Sequence, residues 1–178
     1  MSDQSLPVQF TECVELVIPP FQDRQQVTLD LSKIREGKDR LIEAKVVNPA
    51  TYLELEYTFN ESYREAKQNL VIIGYEIAQT EKVLRQIKGE IILDSYPSFI
   101  KENKMNDNAT NREAFLQRHQ PYLDAEDRVN MLKAMEMMFD GNIRVFENVC
   151  RYMKQHMKLL ERSGNVNHYL SSLNRNKN

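Results

Sequence analysis

Lys82, Arg85 and Lys88 line one side of a helical stretch. Lys101, Lys104, Arg112 and Arg118 lie within or beyond the polar run that follows it, and Tyr96, Phe99 and Tyr122 are interleaved with them. Ammonium and guanidinium groups neutralise backbone phosphates while aromatic faces stack on unpaired bases, a combination that binds single-stranded nucleic acid with little sequence preference. The same residues have a plainer reading, an ordinary polar turn with its aromatics packed beneath it. A second basic concentration closes the chain: residues 151–178 carry six cations against Glu161, a net charge of +5 that leaves −7 for residues 1–150. A basic end on an acidic body suits an anionic partner. Cations near a helix C-terminus also complement its dipole while remaining solvated.

Catalytic chemistry has no comparable signature. The sequence contains no phosphate-cradling GxxxxGK, no GxGxxG, no HExxH and no CxxC. Its histidines, His119, His156 and His168, are scattered, and Cys13 and Cys150 are too far apart to suggest a disulfide framework. The expectation is a protein without catalytic residues, metal or cofactor.

The elements that must position the cations are written in two apolar seams whose members alternate three and four residues apart. The first runs Phe59, Tyr63, Ala66, Leu70, Ile73, Ile77, Thr80, Leu84, Ile87, Ile91; the second runs Tyr122, Ala125, Val129, Leu132, Glu136, Phe139, Ile143, Phe146, Cys150, Met153, Met157, Leu160. This 3.5-residue period keeps one helix face turned toward a partner helix. At about 1.5 Å of rise per residue, each helix would be roughly 50 to 60 Å long. Beside the second seam lies another stripe at the same spacing, through Met131, Met135, Met138, Val145, Val149 and Tyr152. Two adjacent stripes exceed what one partner helix covers, so these residues are expected to serve homo-oligomerisation or to meet the N-terminal segment. The methionines suit either a core or an adaptable interface. Glu136 is the charged exception in its seam, a position that faces solvent or sets register.

Along the chain, Val8, Phe10, Val14, Leu16 and Ile18, then Val27, Leu29 and Leu31, alternate around Pro19 and Pro20 and predict a pair of short strands. Residues 32–47 predict a short helix through Ile34, Leu41 and Ile42, weakened by Gly37. Asn48-Pro49 breaks the chain before the first long helix, from about residue 50 to residue 93. Residues 94–109 read as a connector. Thr110 and Glu113 have capping-box spacing and predict a helical turn through Phe115 and Leu116. The second long helix then runs from about Pro121 to Arg162, where Ser163-Gly164-Asn165 ends it.

The predicted class is mainly α: two long heptad helices in a helical hairpin or coiled-coil bundle, with a small N-terminal β element. Its expected segments are 1–48 (β and short helix), 49–165 (hairpin) and 166–178 (flexible basic tail). No apolar run approaches the ~18 residues of a membrane span, and MSDQSLPVQF lacks a basic region followed by a long apolar stretch, so a cytoplasmic location without membrane contact is expected.

A long heptad helix ending in Lys88-Gly89-Glu90-Ile91-Ile92-Leu93-Asp94-Ser95-Tyr96, a polar connector and a second long helix rich in Met and Phe together resemble the UvsY-like recombination mediators of tailed bacteriophages, over roughly residues 57–163. The resemblance implies a ring-like homo-oligomer that binds single-stranded DNA. It also implies that the protein helps load a RecA-like recombinase onto strands covered by single-strand-binding protein. The chain departs from the family where basic residues precede the Leu-Asp pair, since Glu90 and Ile92 stand there and Lys88 is the nearest cation. The alternative is a coiled-coil scaffold or adaptor that uses the seams for protein contacts alone.

Overall fold

Period-two alternation between the proline-bearing turn and its flanks produces a hairpin in the computed structural model, which describes residues 13–43 and 47–162. Strands β1 (Glu15–Ile18) and β2 (Val27–Asp30) pair antiparallel, Leu16 opposite Leu29 and Ile18 opposite Val27. Ile18 and Leu29 face inward and are buried, while Val17 and Thr28 share the exposed face. The expected strand positions Val8 and Phe10 lie outside the described residues.

Five helices follow among the described residues: α1 (Ser32–Glu43), α2 (Tyr52–Asp94), α3 (Tyr96–Glu102), α4 (Ala109–Leu116) and α5 (Gln120–Arg162). The chain is mainly helical with a small antiparallel sheet at its N-terminal end, and no described helix is long and apolar enough to cross a membrane. Helix α1 begins where expected but ends at Glu43; residues 44–46 lie outside the described residues. Asn48 ends the break before α2 by accepting hydrogen bonds at its side-chain oxygen from the Ala50 (2.9 Å) and Thr51 (3.0 Å) N–H groups.

The chain groups into two compact units by space rather than by consecutive segments. The first joins residues 1–69 with 139–178 and the second holds residues 70–138, so both long helices contribute to both units. The expected basic tail, 166–178, lies outside the described residues.

In the first unit the hairpin and α1 pack on the N-terminal part of α2 and the C-terminal part of α5. Phe59 and Phe146 stack with ring centroids 6.3 Å apart, and Lys154 pairs with Glu56 at 3.4 Å. Pairs 56–154 and 60–150 place the two helices antiparallel here. Two polar groups of α2 fasten the N-terminal elements: Asn69 Nδ2 donates to the Asp30 carbonyl (2.6 Å), and Glu65 Oε2 accepts from the Ile34 N–H (2.8 Å), satisfying one of α1's orphan first-turn donors. Burial pushes the Glu65 carboxyl above its ordinary range, with the Ile34 hydrogen bond opposing it.

Gly37, read from sequence as a weak point in α1, is the point of closest approach. A Cβ there would meet Ser62 Oγ and lie 2.8 Å from Phe146 Cε1. The Ser62 hydroxyl lies 2.6 Å from the Lys33 carbonyl and 2.8 Å from the Thr58 carbonyl, donating to one of them at a time. Only a residue without a side chain lets α1 sit this close to α2 and α5.

In the second unit the seam residues Ile73, Ile77 and Thr80 of α2 and Tyr122, Ala125, Val129 and Leu132 of α5 are buried, and Lys133 pairs with Glu81 at 2.8 Å. Glu136 is half-buried. Two residues off the seams are inside: Glu76 at 2 % exposure on α2 and Arg128 at 6 % on α5.

Two predictions follow from this packing. In denaturant unfolding, Gly37→Ala should lose about 1–3 kcal/mol from the forced-in methyl, outweighing the helix-propensity gain of up to ~1 kcal/mol; an increase in stability would show that α1 shifts freely. Removing one buried charge leaves whatever compensates it unpaired, so Glu76→Met or Arg128→Met alone should cost about 3–5 kcal/mol. The double variant should cost clearly less than the sum, and strict additivity in the same unfolding measurements would show that the two are energetically independent.

Candidate nucleic-acid interface

Helices as short as α3 and α4 are not stable alone and need tertiary anchors. The stretch read as a plain connector, 94–109, contains α3, which Pro97 favours by pre-setting helical geometry in the first turn. Its C-terminus closes with Lys104 in the left-handed region (φ 51°) and the Met105 N–H donating to the Ile100 carbonyl at 3.0 Å. Helix α4 also starts earlier than the Thr110–Glu113 spacing suggested. Its cap is Asn108, whose side-chain oxygen accepts from the Asn111 N–H at 2.8 Å; asparagine outranks threonine in this role.

The anchors are the aromatics. Tyr96, Phe99 and Phe115 pack together, with Phe99–Phe115 centroids 4.7 Å and Tyr96–Phe115 centroids 5.4 Å apart, and His119 sits edge-on to Phe115 at 4.7 Å. Tyr96 is 3 % exposed. Arg118 lies over the remaining face of Phe99, 4.9 Å from its centroid. Tyr96 and Phe99, expected as stacking platforms for bases, are therefore spent on the unit's own core, because α3 and α4 have little else apolar to bury. Tyr122 is buried as well, its hydroxyl donating to Glu113 (3.1 Å) and within reach of Glu126 (3.4 Å).

The expected cations divide into two groups, all within the second unit. Arg112 is committed: its Nε and Nη2 donate to the two Asp107 oxygens at 2.6 Å each, a bidentate pair that holds the Asp107 carboxyl below its usual range. Arg118 covers Phe99, and Lys88 lies 3.9 Å from Glu113. Lys82, Arg85, Lys101 and Lys104 are exposed, and their side chains form no hydrogen bond or ion pair among the described residues. Lys82 and Arg85 sit one turn apart on α2, Lys101 lies in the last turn of α3 and Lys104 just beyond its cap. These four can present charge to phosphates without first breaking an internal contact.

The expected oligomerisation stripe is uneven. Met135 is buried within its own unit and cannot face a second copy, while Met131 and Met138 are half-buried. In the first unit Val145 and Tyr152 are exposed and Val149 is half-buried, with His156 stacked on Tyr152 at 6.1 Å. Cys150 is half-buried against Asn60, where burial pushes its thiol up. No group of three or more His, Cys, Asp or Glu side chains among the described residues is placed to hold a metal ion.

Burial, then the hydrogen bond to Glu113, push the Tyr122 phenol up to about 12. The folded state thus keeps this proton above the unfolded value of about 10, and stability must fall as pH rises from about 10 to about 12, where the unfolded chain has already lost it. Melting temperature across that alkaline window should decline less steeply in Tyr122→Phe than in the parent; identical slopes would remove Tyr122 from the linkage.

Compared with known proteins, the chain matches no family model, no curated protein and no solved structure.

Proposed function

We propose that the chain is a non-enzymatic accessory protein of DNA recombination that binds single-stranded DNA through phosphate contacts and, like the UvsY-like mediators it resembles in helix layout, helps load a RecA-like recombinase. The observation that supports this reading is the set of cations in the second unit without an internal hydrogen bond or ion pair, Lys82 and Arg85 on α2 and Lys101 and Lys104 at the end of α3 and just beyond it. Since Tyr96 is buried and the half-buried Phe99 is packed against Phe115 and covered by Arg118, binding rests on charge rather than on base stacking. A second reading, an assembly protein that contacts only other proteins, is favoured by the exposed apolar residues Val145, Tyr152 and Leu159 of α5.

Fluorescence anisotropy with a labelled oligonucleotide between about 50 and 200 mM salt separates the two. Binding should weaken with salt at a log–log slope of about −0.7 per phosphate neutralised, and replacing the four lysine and arginine residues with alanine should reduce that slope by up to about 3. Tyr96→Ala should act first on melting temperature, because it empties a core position. Absence of binding at the low-salt end by the folded protein would reject the recombination reading and leave the assembly reading.

A further inference from the structure

The loop 103–108, between α3 and α4, brings together an ion pair, a buried hydroxyl and a backbone oddity. Asp107 presents both carboxylate oxygens to Arg112, one 2.6 Å from Nε and the other 2.6 Å from Nη2, and the two side chains remain about half exposed. A guanidinium fork filled in this way is filled as a phosphate would fill it, because both anions offer a pair of oxygens to its parallel N–H groups. An exposed ion pair is weak in water, so another anion can compete for the fork.

The Tyr96 hydroxyl is buried and has no hydrogen-bond partner among the described residues. It nevertheless lies near enough to both members of the pair to act on them: after Arg112 itself, its O–H helps hold the Asp107 carboxyl low. A buried hydroxyl without an acceptor is costly, and the adjacent carboxylate is the acceptor at hand. Lys104, in the same loop, is one of two non-glycine residues with positive φ among the described residues. It and Lys101, at the end of α3, form no ion pair among the described residues and add positive charge on the approach to Arg112.

Resting on the reading that the second unit meets single-stranded DNA, we propose that Asp107 is a built-in stand-in for a phosphate group, occupying Arg112 until a phosphate displaces it. Arg112 then turns to the phosphate, and the Asp107 carboxylate turns to the Tyr96 hydroxyl. The exchange leaves no charge unpaired: Arg112 trades one anion for another, and Tyr96 gains the acceptor it lacks. The free cations make the first contact, and Arg112 joins them as a gated one.

The first arm of the test needs no nucleic acid. In the isotope-labelled full chain, the Arg112 Nε–H resonance, identified by its loss in Arg112→Lys, is followed by NMR as inorganic pyrophosphate is added. It should move saturably, and in Asp107→Asn at a concentration lower by about tenfold, the scale of one charge-assisted hydrogen bond. Tyr96→Phe keeps the ring and its packing but removes the waiting donor, so it should raise the concentration required. In the second arm, oligonucleotide anisotropy, Asp107→Asn should bind more tightly and steepen the salt slope by about 0.7, one further phosphate. Adding Arg112→Ala should cancel both gains.

A resonance indifferent to pyrophosphate in Asp107→Asn, or one that responds alike in that variant and the parent, overturns the proposal. So does an oligonucleotide gain that survives Arg112→Ala, since removal of one negative charge would then explain it. A pyrophosphate response without oligonucleotide binding keeps the phosphate site and rejects the recombination reading; oligonucleotide binding without the pyrophosphate response does the reverse.

Discussion

Apolar side chains that recur every 3.5 residues on α2 and α5 cannot be buried by either helix alone, and the rest of the fold answers that constraint. In the first unit the answer is close approach: Phe59 stacks on Phe146, and α1 settles over both helices at Gly37, where any side chain would collide with Ser62 and Phe146. Once α1 is seated, its free N-terminal amide groups need acceptors, and Glu65 reaches across from α2 to supply one. The hairpin is fastened by the same helix, through Asn69. A two-stranded sheet of four-residue strands has little stability of its own and depends on that attachment.

In the second unit the seam continues through Ile73, Ile77, Val129 and Leu132, but the connecting helices α3 and α4 lack a seam of their own. Each is too short to persist without tertiary contacts. The Tyr96–Phe99–Phe115 cluster supplies those contacts, and the consequence for function is direct. Aromatic faces needed to hold the connector together are not free to stack on bases, so any nucleic-acid contact here must be electrostatic, sensitive to salt and indifferent to sequence. The cations obey a similar division. Arg112 and Arg118 stabilise the connector, and the residues that could act on a partner are those left over, Lys82, Arg85, Lys101 and Lys104.

Charge placement gives the two units different capabilities. The second unit presents cations without internal partners, whereas in the first unit Leu41, Phe59, Val149, Tyr152 and Met153 line an open, largely apolar groove. Point charges on a wet surface suit phosphates, whereas apolar walls suit buried carbon and offer phosphates little.

The sequence by itself determined the helical class, the hairpin and the extents of α2 and α5, because a 3.5-residue or two-residue period and a break such as Asn48-Pro49 are local properties readable from neighbouring residues. It also located the cations that gather near the connector. The folded structure decided which of them are free, since Arg112 is paired with Asp107 and Arg118 is stacked over the ring of Phe99. It turned Gly37 from an apparent defect into the contact that admits α1, drew Tyr96 inside, and buried Glu76 and Arg128, which belong to neither seam. It chose Asn108 over Thr110 as the cap of α4, and it buried Met135 while leaving Tyr152 at the surface. The Asn108 cap and the Arg112–Asp107 pair are local choices among near neighbours; for the others the physical reason is that burial and close approach depend on what arrives from a distant part of the chain, and a one-dimensional pattern records only which face is apolar, not what covers it.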